Sequence, residues 1–330
     1  MKNQIFFSNS DNPWLNLAIE ELLLDTVEEN QFILYLWQNQ NTIVLGKNQN
    51  PWKECRSVLL EKEGGYLARR LSGGGTVYHD LGNLNFTMLM NRTDFNLEKQ
   101  AGVILTAVRA LGIPAEMTGR NDLTIEGRKF SGNAFCFRKN NAYHHGTILV
   151  ASDFEKLTRY LQVPKEKIRS KGIESVRARV VNLTDYSPLL KINTMKDLLC
   201  EEFSKVYGGD PRAVQSTDQL NQAVIQQHYQ KYASWKWRYG DAPKFDLELS
   251  TRFSWGGIDI GLKLEQGIVI SANAYSDAMD AEFIGMIPEA LKGSQLNAAL
   301  LAERINTINA GDFRKSLQED IVNWLRTKEL

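Results

Sequence analysis

Two strand-like runs, FILYLW (32–37) and TIVLG (42–46), follow each other across a connection too short for a helix, and a third, NLNFTMLM (83–90), comes soon after. In the third, Leu84, Phe86, Met88 and Met90 alternate with polar or smaller residues, the period of a strand with one buried face. Parallel neighbours need a long crossover, so strands joined this closely form an antiparallel or mixed sheet. No regular βαβ rhythm appears, and the pattern predicts an α+β fold. Helices are expected over 12–29, where Pro13 suits a first turn and Leu15, Ala18, Ile19, Leu22 and Leu23 share one face, and over 95–111, ending at Gly112. Further strands are expected near 122–126, 129–136 and 145–151, with helices near 153–161 and 194–207. The C-terminal part reads as strands at 251–260 and 262–276, then helices near 288–302 and 312–326.

At 330 residues the chain has room for two domains. Residues 1–240 carry 30 Lys/Arg and 25 Asp/Glu, whereas 241–330 carry 9 and 14. The sign of the charge changes beside SWKWRYGDAPKF (234–245), a stretch without periodicity, so the expected division is 1–240 and 241–330. The zero net charge gives no global attraction to nucleic acid. No apolar run reaches the roughly 18 residues of a membrane span. Three scattered cysteines with no CxxC pair argue against disulfides and zinc and suit a reducing cytoplasm.

The chemistry concentrates in RRLSGGGTVYHDLGN (69–83). This is not a P-loop, since no lysine–serine/threonine pair follows the glycines, nor a dinucleotide fingerprint, since Tyr78 stands where the third glycine belongs. Successive glycines still present backbone N–H groups that form an anion-binding concavity, and Arg70 adds a fixed positive fork. A second cluster, GRNDLTIEGRKFSGNAF (119–135), suggests a tight hairpin at Gly127. Lys129 then begins a strand on which Gly132 and Ala134 keep one face small, leaving room for a ligand.

Together, RRxSGGGxVxHDxGN, GRNDL, GRKxSGxA and the YHHGTILV segment (143–150) resemble the lipoate–protein ligase family. NPWKEC (50–55), KGIESVRARVVNLT (171–184), SWKW (234–237) and RFSWGG (252–257) are similar to its bacterial two-domain form. The resemblance implies a catalytic domain of the biotin/lipoate ligase type, related to the class II aminoacyl-tRNA synthetase fold, with a mixed, mostly antiparallel sheet. A small α+β accessory domain would follow. It also implies a two-step reaction in which ATP and lipoate give lipoyl-AMP and pyrophosphate. The lipoyl group then passes to a lysine of a lipoyl domain, in 2-oxo acid dehydrogenase complexes or the glycine cleavage H protein, the enzyme acting as a cytoplasmic monomer.

By the same resemblance, Lys129 lies between the lipoate carboxylate and the α-phosphate. Arg70, Gly75, Thr76, Val77 and Tyr78 contact the nucleotide. Ser72, Gly73, Gly74 and His79 close around the acyl group, with Arg70 reaching it too. Leu17, Trp37, Val44, Val77 and Phe86 are candidate walls for the acyl chain, and Asp122 is a candidate ligand for the Mg²⁺ that accompanies ATP. Adjacent His144 and His145 are expected to point to opposite faces of a strand, with His145 near the pocket. The basic run of Lys165, Lys167, Arg169, Lys171, Arg177 and Arg179 is expected to form a loop over the adenylate or a docking surface for an acidic acceptor. One rival is an ATP-independent lipoyl or octanoyl transferase with a cysteine nucleophile. Residues 112–128 hold no cysteine and Cys136 lies beyond Lys129, which favours the ligase. The GRGRxGRxW-type loop of biotin ligases is absent.

Overall fold

A sheet of eight strands carries the larger part of the chain. In a computed structural model describing residues 3–118, 122–162, 179–240, 245–311 and 314–328, the strands are β1 (Gln4–Phe7), β2 (Ile33–Trp37), β3 (Thr42–Leu45), β4 (Tyr66–Arg69), β5 (Val77–His79), β6 (Asn83–Asn91), β7 (Ala115–Thr118), β8 (Asp122–Ile125), β9 (Arg128–Arg138), β10 (Asn141–Leu149) and β11 (Val214–Ser216). Eight of them form one sheet in the order β11–β1–β2–β6–β10–β9–β8–β7, and β4–β3–β5 form a smaller one. Only β11/β1 and β1/β2 are parallel pairs in the large sheet. The expected mixed, mostly antiparallel α+β architecture is what the chain adopts.

By internal contacts the chain forms two compact units, one of Met1–Val44, Pro51–Arg70 and Thr76–Arg238, the other of Leu45–Asn50, Leu71–Gly75 and Tyr239–Leu330. In the larger unit, helix α1 (Pro13–Thr26) starts where Asn12 Oδ1 accepts from the N–H groups of Trp14 and Leu15, with Pro13 in the first turn. It lies on one face of the large sheet. The opposite face, carrying Leu34, Leu36, Phe86 and Met88, packs with helices α2 (Leu97–Arg109) and α3 (Ile192–Tyr207) into the main core. Helix α4 (Gln222–Ala233) packs along α1. Burying a large core side chain here contributes about 1.5–3 kcal/mol.

The smaller unit holds three antiparallel strands, β12 (Leu247–Phe253), β13 (Gly256–Glu265) and β14 (Ile268–Ser276), where the sequence suggested two. The difference comes from a two-residue turn in which Gln266 and Gly267 both take positive φ, the geometry that reverses a hairpin. Three helices follow, α5 (Ala281–Leu291), α6 (Ala298–Asn306) and α7 (Lys315–Arg326). The single helix expected over 288–302 is thus broken. Asp280 caps α5 well ahead of Pro288, Gly293 leaves the helix with φ 78°, and Asn297 caps α6. The short strands β1, β4, β7 and β11 and the helix α4 have no counterpart in the sequence reading.

The turn between β5 and β6 presses on the end of β10. The N–H groups of Val150 and Ala151 both donate to the Gly82 carbonyl. A Cβ at Gly82 would meet the Ala151 oxygen at 2.0 Å and the Ser152 nitrogen at 2.8 Å. Gly82→Ala is therefore expected to destabilise the protein by about 1–3 kcal/mol, as overpacking does, read as a lower urea midpoint. An unchanged midpoint would mean that residues 150–152 yield without cost.

Candidate active site

Strand alternation sorts the candidate residues onto two faces. The register places Thr87 opposite His145 and Asn85 opposite Thr147 across β6 and β10, and Trp37 opposite Asn85 across β2 and β6. These side chains share the face that α1 covers. His144 is on the other face, against Phe86, with ring centroids 5.3 Å apart, so the two histidines diverge as alternation requires. Phe86 belongs to the core with Leu36 and Met88 and does not wall the α1 side.

On the α1 side a polar network is sealed from water. Glu20, 1% exposed, accepts at Oε1 from Thr87 Oγ1 at 2.7 Å and pairs with His145 Nδ1 at 2.8 Å. Trp37 Nε1 donates to Thr87 Oγ1 at 3.1 Å. Asn16 Nδ2 donates to Asn39 Oδ1, so Asn39 Nδ2 is the atom that faces His79 Nδ1 at 3.1 Å. An amide donor there makes Nδ1 an acceptor and puts the ring proton on Nε2. Among the described residues, His79 Nε2, Glu20 Oε2 and the Tyr143 hydroxyl are buried with no hydrogen-bond partner. Unmatched polar atoms of this kind mark a place that something else completes.

Arg70, 6% exposed, donates to the Val44 carbonyl at 3.1 Å. Burial pulls it down to about 10, offset in part by Tyr143 and Glu20, and it stays charged at neutral pH. Its neighbour in sequence has another task, since the Arg69 guanidinium donates to the carbonyls of Trp237 and Arg238, and Trp237 Nε1 donates back to the Arg69 carbonyl. Leu17 and Trp37 are both buried, and the Trp37 ring lies 6.2 Å from that of His79. Val44, Val77 and Tyr78 sit in the small sheet, with Ile43 opposite Tyr78.

Lys129 is the second residue of β9, after a turn in which Glu126 and Gly127 both have positive φ. Its N–H donates to the Arg179 carbonyl and its carbonyl accepts from Val181 N, so residues 179–181 lie alongside β9. Lys129 Nζ pairs with Asp122 Oδ1 at 2.7 Å. A Cβ at Gly132 would come within 2.8 Å of Nζ. The small face expected at Gly132 is therefore filled by the lysine's own end. A polar cavity of about 490 Å³ opens nearby, lined by Arg128, Ser152, Asp153, Val180, Asn182 and Asp185.

In the smaller unit, the glycine run adopts a definite shape. Gly74 has φ 86°, and its N–H donates to the Ala278 carbonyl at 2.9 Å. A Cβ on Gly73 would meet the Ala278 and Met279 carbonyls at 2.3 and 2.5 Å. Lys47 N donates to the Ser72 carbonyl. Two of the three glycines thus serve a tight backbone approach, and the Gly74 N–H is engaged rather than open to a phosphate. Of the basic run, Lys165, Lys167, Arg169, Lys171 and Arg177 lie outside the described residues, as do Gly119, Arg120 and Asn121. Among the described residues, no helix is long and apolar enough to cross a membrane. No disulfide links the three cysteines, and Cys136 is partly buried on β9 opposite Tyr143.

The catalytic-domain family described as "Lipoyl protein ligase A/B catalytic domain" matches residues 12–204, and "Bacterial lipoate protein ligase C-terminus" matches 242–325. The chain belongs to the lipoate–protein ligase family. A lipoate-protein ligase A of Psychrobacter cryohalolentis is 37% identical over 98% of this chain and 98% of its own. The structure of P. falciparum LipL1 in complex with lipoate superposes with a TM-score of 0.88 at 29% identity, covering 99% of this chain and 100% of that one. A lipoate-protein ligase A bound with ATP gives 0.65 at 25% identity, covering 73% of this chain and 99% of the other. Sequence reading of this lipoate–protein ligase family member missed Glu20, Thr87, Tyr143 and Asn39. Only Glu20 left a trace, as a carboxylate inside the apolar run LAIEELLL.

Burial pushes His79 and His144 down to about 3 each. Both lie below the unfolded value of about 6.5, so the unfolded chain binds two more protons than the folded one between those pH values. Their contribution is present above pH ~6.5 and is lost as pH falls toward 3, each at about 1.4 kcal/mol per pH unit. Urea midpoints should drop from pH 7 to pH 5, and His144→Gln should make the drop shallower. An equal drop in the variant would show that His144 is not one of the groups responsible.

Proposed function

We propose that this ligase activates lipoate with ATP, giving lipoyl-AMP and pyrophosphate, and then transfers the lipoyl group to a lysine amine of a lipoyl domain. In the first step a lipoate carboxylate oxygen attacks the α-phosphorus and the bond to the pyrophosphate oxygen breaks. Both reactants are anions, so a cation between them is the main requirement. The observation that carries the reading is the placement of Lys129, held over Gly132 by a rigid strand and oriented by Asp122. In the second step the acceptor's neutral amine attacks the acyl carbonyl and AMP leaves with the electron pair.

Arg70, Gly75, Thr76, Val77 and Tyr78 are the proposed nucleotide contacts, beside Lys129. Leu17, Trp37, His79, Arg70, Ser72, Gly73 and Gly74 are assigned to lipoate, whose chain gains about 0.8 kcal/mol per buried methylene. Mg²⁺ arrives with ATP as part of the substrate. One carboxylate together with phosphate oxygens is its usual setting, and Asp122, which pairs with Lys129, is the carboxylate assigned to share it. The acceptors proposed are lipoyl domains of 2-oxo acid dehydrogenase complexes or the glycine cleavage H protein, with the ligase a cytoplasmic monomer.

The test is pyrophosphate release with ATP and Mg²⁺ on adding lipoate, octanoate, biotin or nothing, repeated with a lipoyl domain present. Release that depends on lipoate is expected; none under either condition would return the chain to the transferase or a passive binder. Lys129→Ala should lower kcat on the order of 10²–10³-fold, the scale of removing one key electrostatic group. A loss below about tenfold would refute its role. Cys136→Ala should keep full activity.

A further inference from the structure

The pairing of β8 with β9 loses step just where Lys129 stands. Asp122 faces Gly132 and Leu123 faces Ser131, but Thr124 then faces Lys129, which makes Phe130 an extra residue on β9. An insertion of this kind is a β-bulge, and it re-aims the side chains beside it. In an unbroken strand, alternation back from Gly132 on the α1 side would put Phe130 on that side as well and Lys129 in the core. The bulge reverses both. Phe130 is buried in the main core with Leu123, Ile125 and Val181, and the Lys129 ammonium comes to lie over Gly132 beside Asp122.

The irregular segment is held from the other edge of β9. The last ladder pair between β9 and β10 is Asn133 with Gly146. One step further the register would bring Thr147 opposite Gly132, and there the Thr147 hydroxyl oxygen accepts from Gly132 N at 3.2 Å. Beyond that, Lys129 N donates to the Arg179 carbonyl at 2.8 Å and Val181 N donates to the Lys129 carbonyl at 3.0 Å. The backbone is thus gripped at Lys129 by residues 179–181 and at Gly132 by a side chain, with Phe130 sunk in the core between the two grips. A Cβ on Gly132 would meet Lys129 Nζ at 2.8 Å and Thr147 Oγ1 at 3.7 Å, so the hydroxyl fixes the very residue over which the ammonium rests.

We propose that Thr147 is a positioning residue for Lys129: by taking the Gly132 N–H it closes the bulge on the side where the β10 ladder stops, and so keeps the ammonium on the ligand face. This rests on the role given to Lys129 above. The hydroxyl works through the backbone of β9 and not on the reacting atoms, so its loss is felt in the rate of the chemical step and not in the binding of ATP or lipoate.

The experiment is a double-mutant cycle on lipoate-dependent pyrophosphate release by the full chain. Thr147→Val, which keeps the shape and removes the hydroxyl, should lower kcat about 10- to 100-fold, the scale of a small misplacement of a reacting group. The KM values for ATP and lipoate should stay within about twofold, and Thr147→Ser should restore most of the rate. In a Lys129→Ala background the same Thr147→Val change should cost no more than about twofold, because the group it positions is gone. Thr147→Ala takes its place if the valine variant does not fold. A full kcat for Thr147→Val, a raised KM with kcat unchanged, or an equal loss with and without Lys129 would each overturn the proposal. Lys129→Ala with near wild-type kcat would sink the role of the lysine, and this inference with it. If wild type releases no pyrophosphate, the adenylation reading fails and the crystal structure of Thr147→Val decides: Lys129 displaced from Asp122 is expected, and an unmoved lysine would refute the positioning role.

Discussion

A carboxylate with almost no solvent contact has to be answered by the protein, and Glu20 is answered from two strands at once. Thr87 on β6 and His145 on β10 converge on one of its oxygens, which pins α1 across the middle of the large sheet. Trp37, bonded to the same threonine, is oriented by that contact as well. Breaking a buried charged hydrogen bond leaves the full desolvation cost behind. The helix, the tryptophan and the histidine therefore hold their positions jointly. The second glutamate, Glu21, is tied off separately by Arg138 and Lys231, so two adjacent acids on one helix serve different partners.

The two faces of the sheet divide the work. One is packed with Leu, Met and Phe against α2 and α3, and its single buried histidine, His144, donates to or accepts from Asn133 alone among the described side chains. The other is lined with polar groups, several of them without a partner among the described residues. The well-packed face gives rigidity, and the polar face opposite carries the side chains Trp37 and His145 beside α1. Lys129 sits at the edge of the second face on a strand bonded on both sides, which favours precise placement of its ammonium.

Much of this was legible in the sequence where the signal is local. The strands β2, β3 and β6, the first turn of α1 at Pro13, and the positive-φ exit at Gly112 follow from alternation, proline and glycine. Lys129 on a strand after a tight turn followed in the same way. What could not be read depends on partners far along the chain. Glu20 is 67 residues from Thr87 and 125 from His145, and no local pattern marks such a pairing. Strands as short as β1 and β4 carry too few residues to show a period. The C-terminal hairpin was misread because Gln266 in a left-handed turn gives no compositional warning.

The loops 45–50 and 71–75 find backbone partners in residues beyond 239 as well as in each other. Ser276 N donates to the Asn48 carbonyl, Asn48 Nδ2 to the Ala281 carbonyl, and Gly74 N to Ala278. Cutting the chain after residue 238 would therefore not release a self-sufficient larger piece. It would leave the glycine run with a vacated backbone groove and unsatisfied amides in water, an entropically loose tether in place of a shaped one.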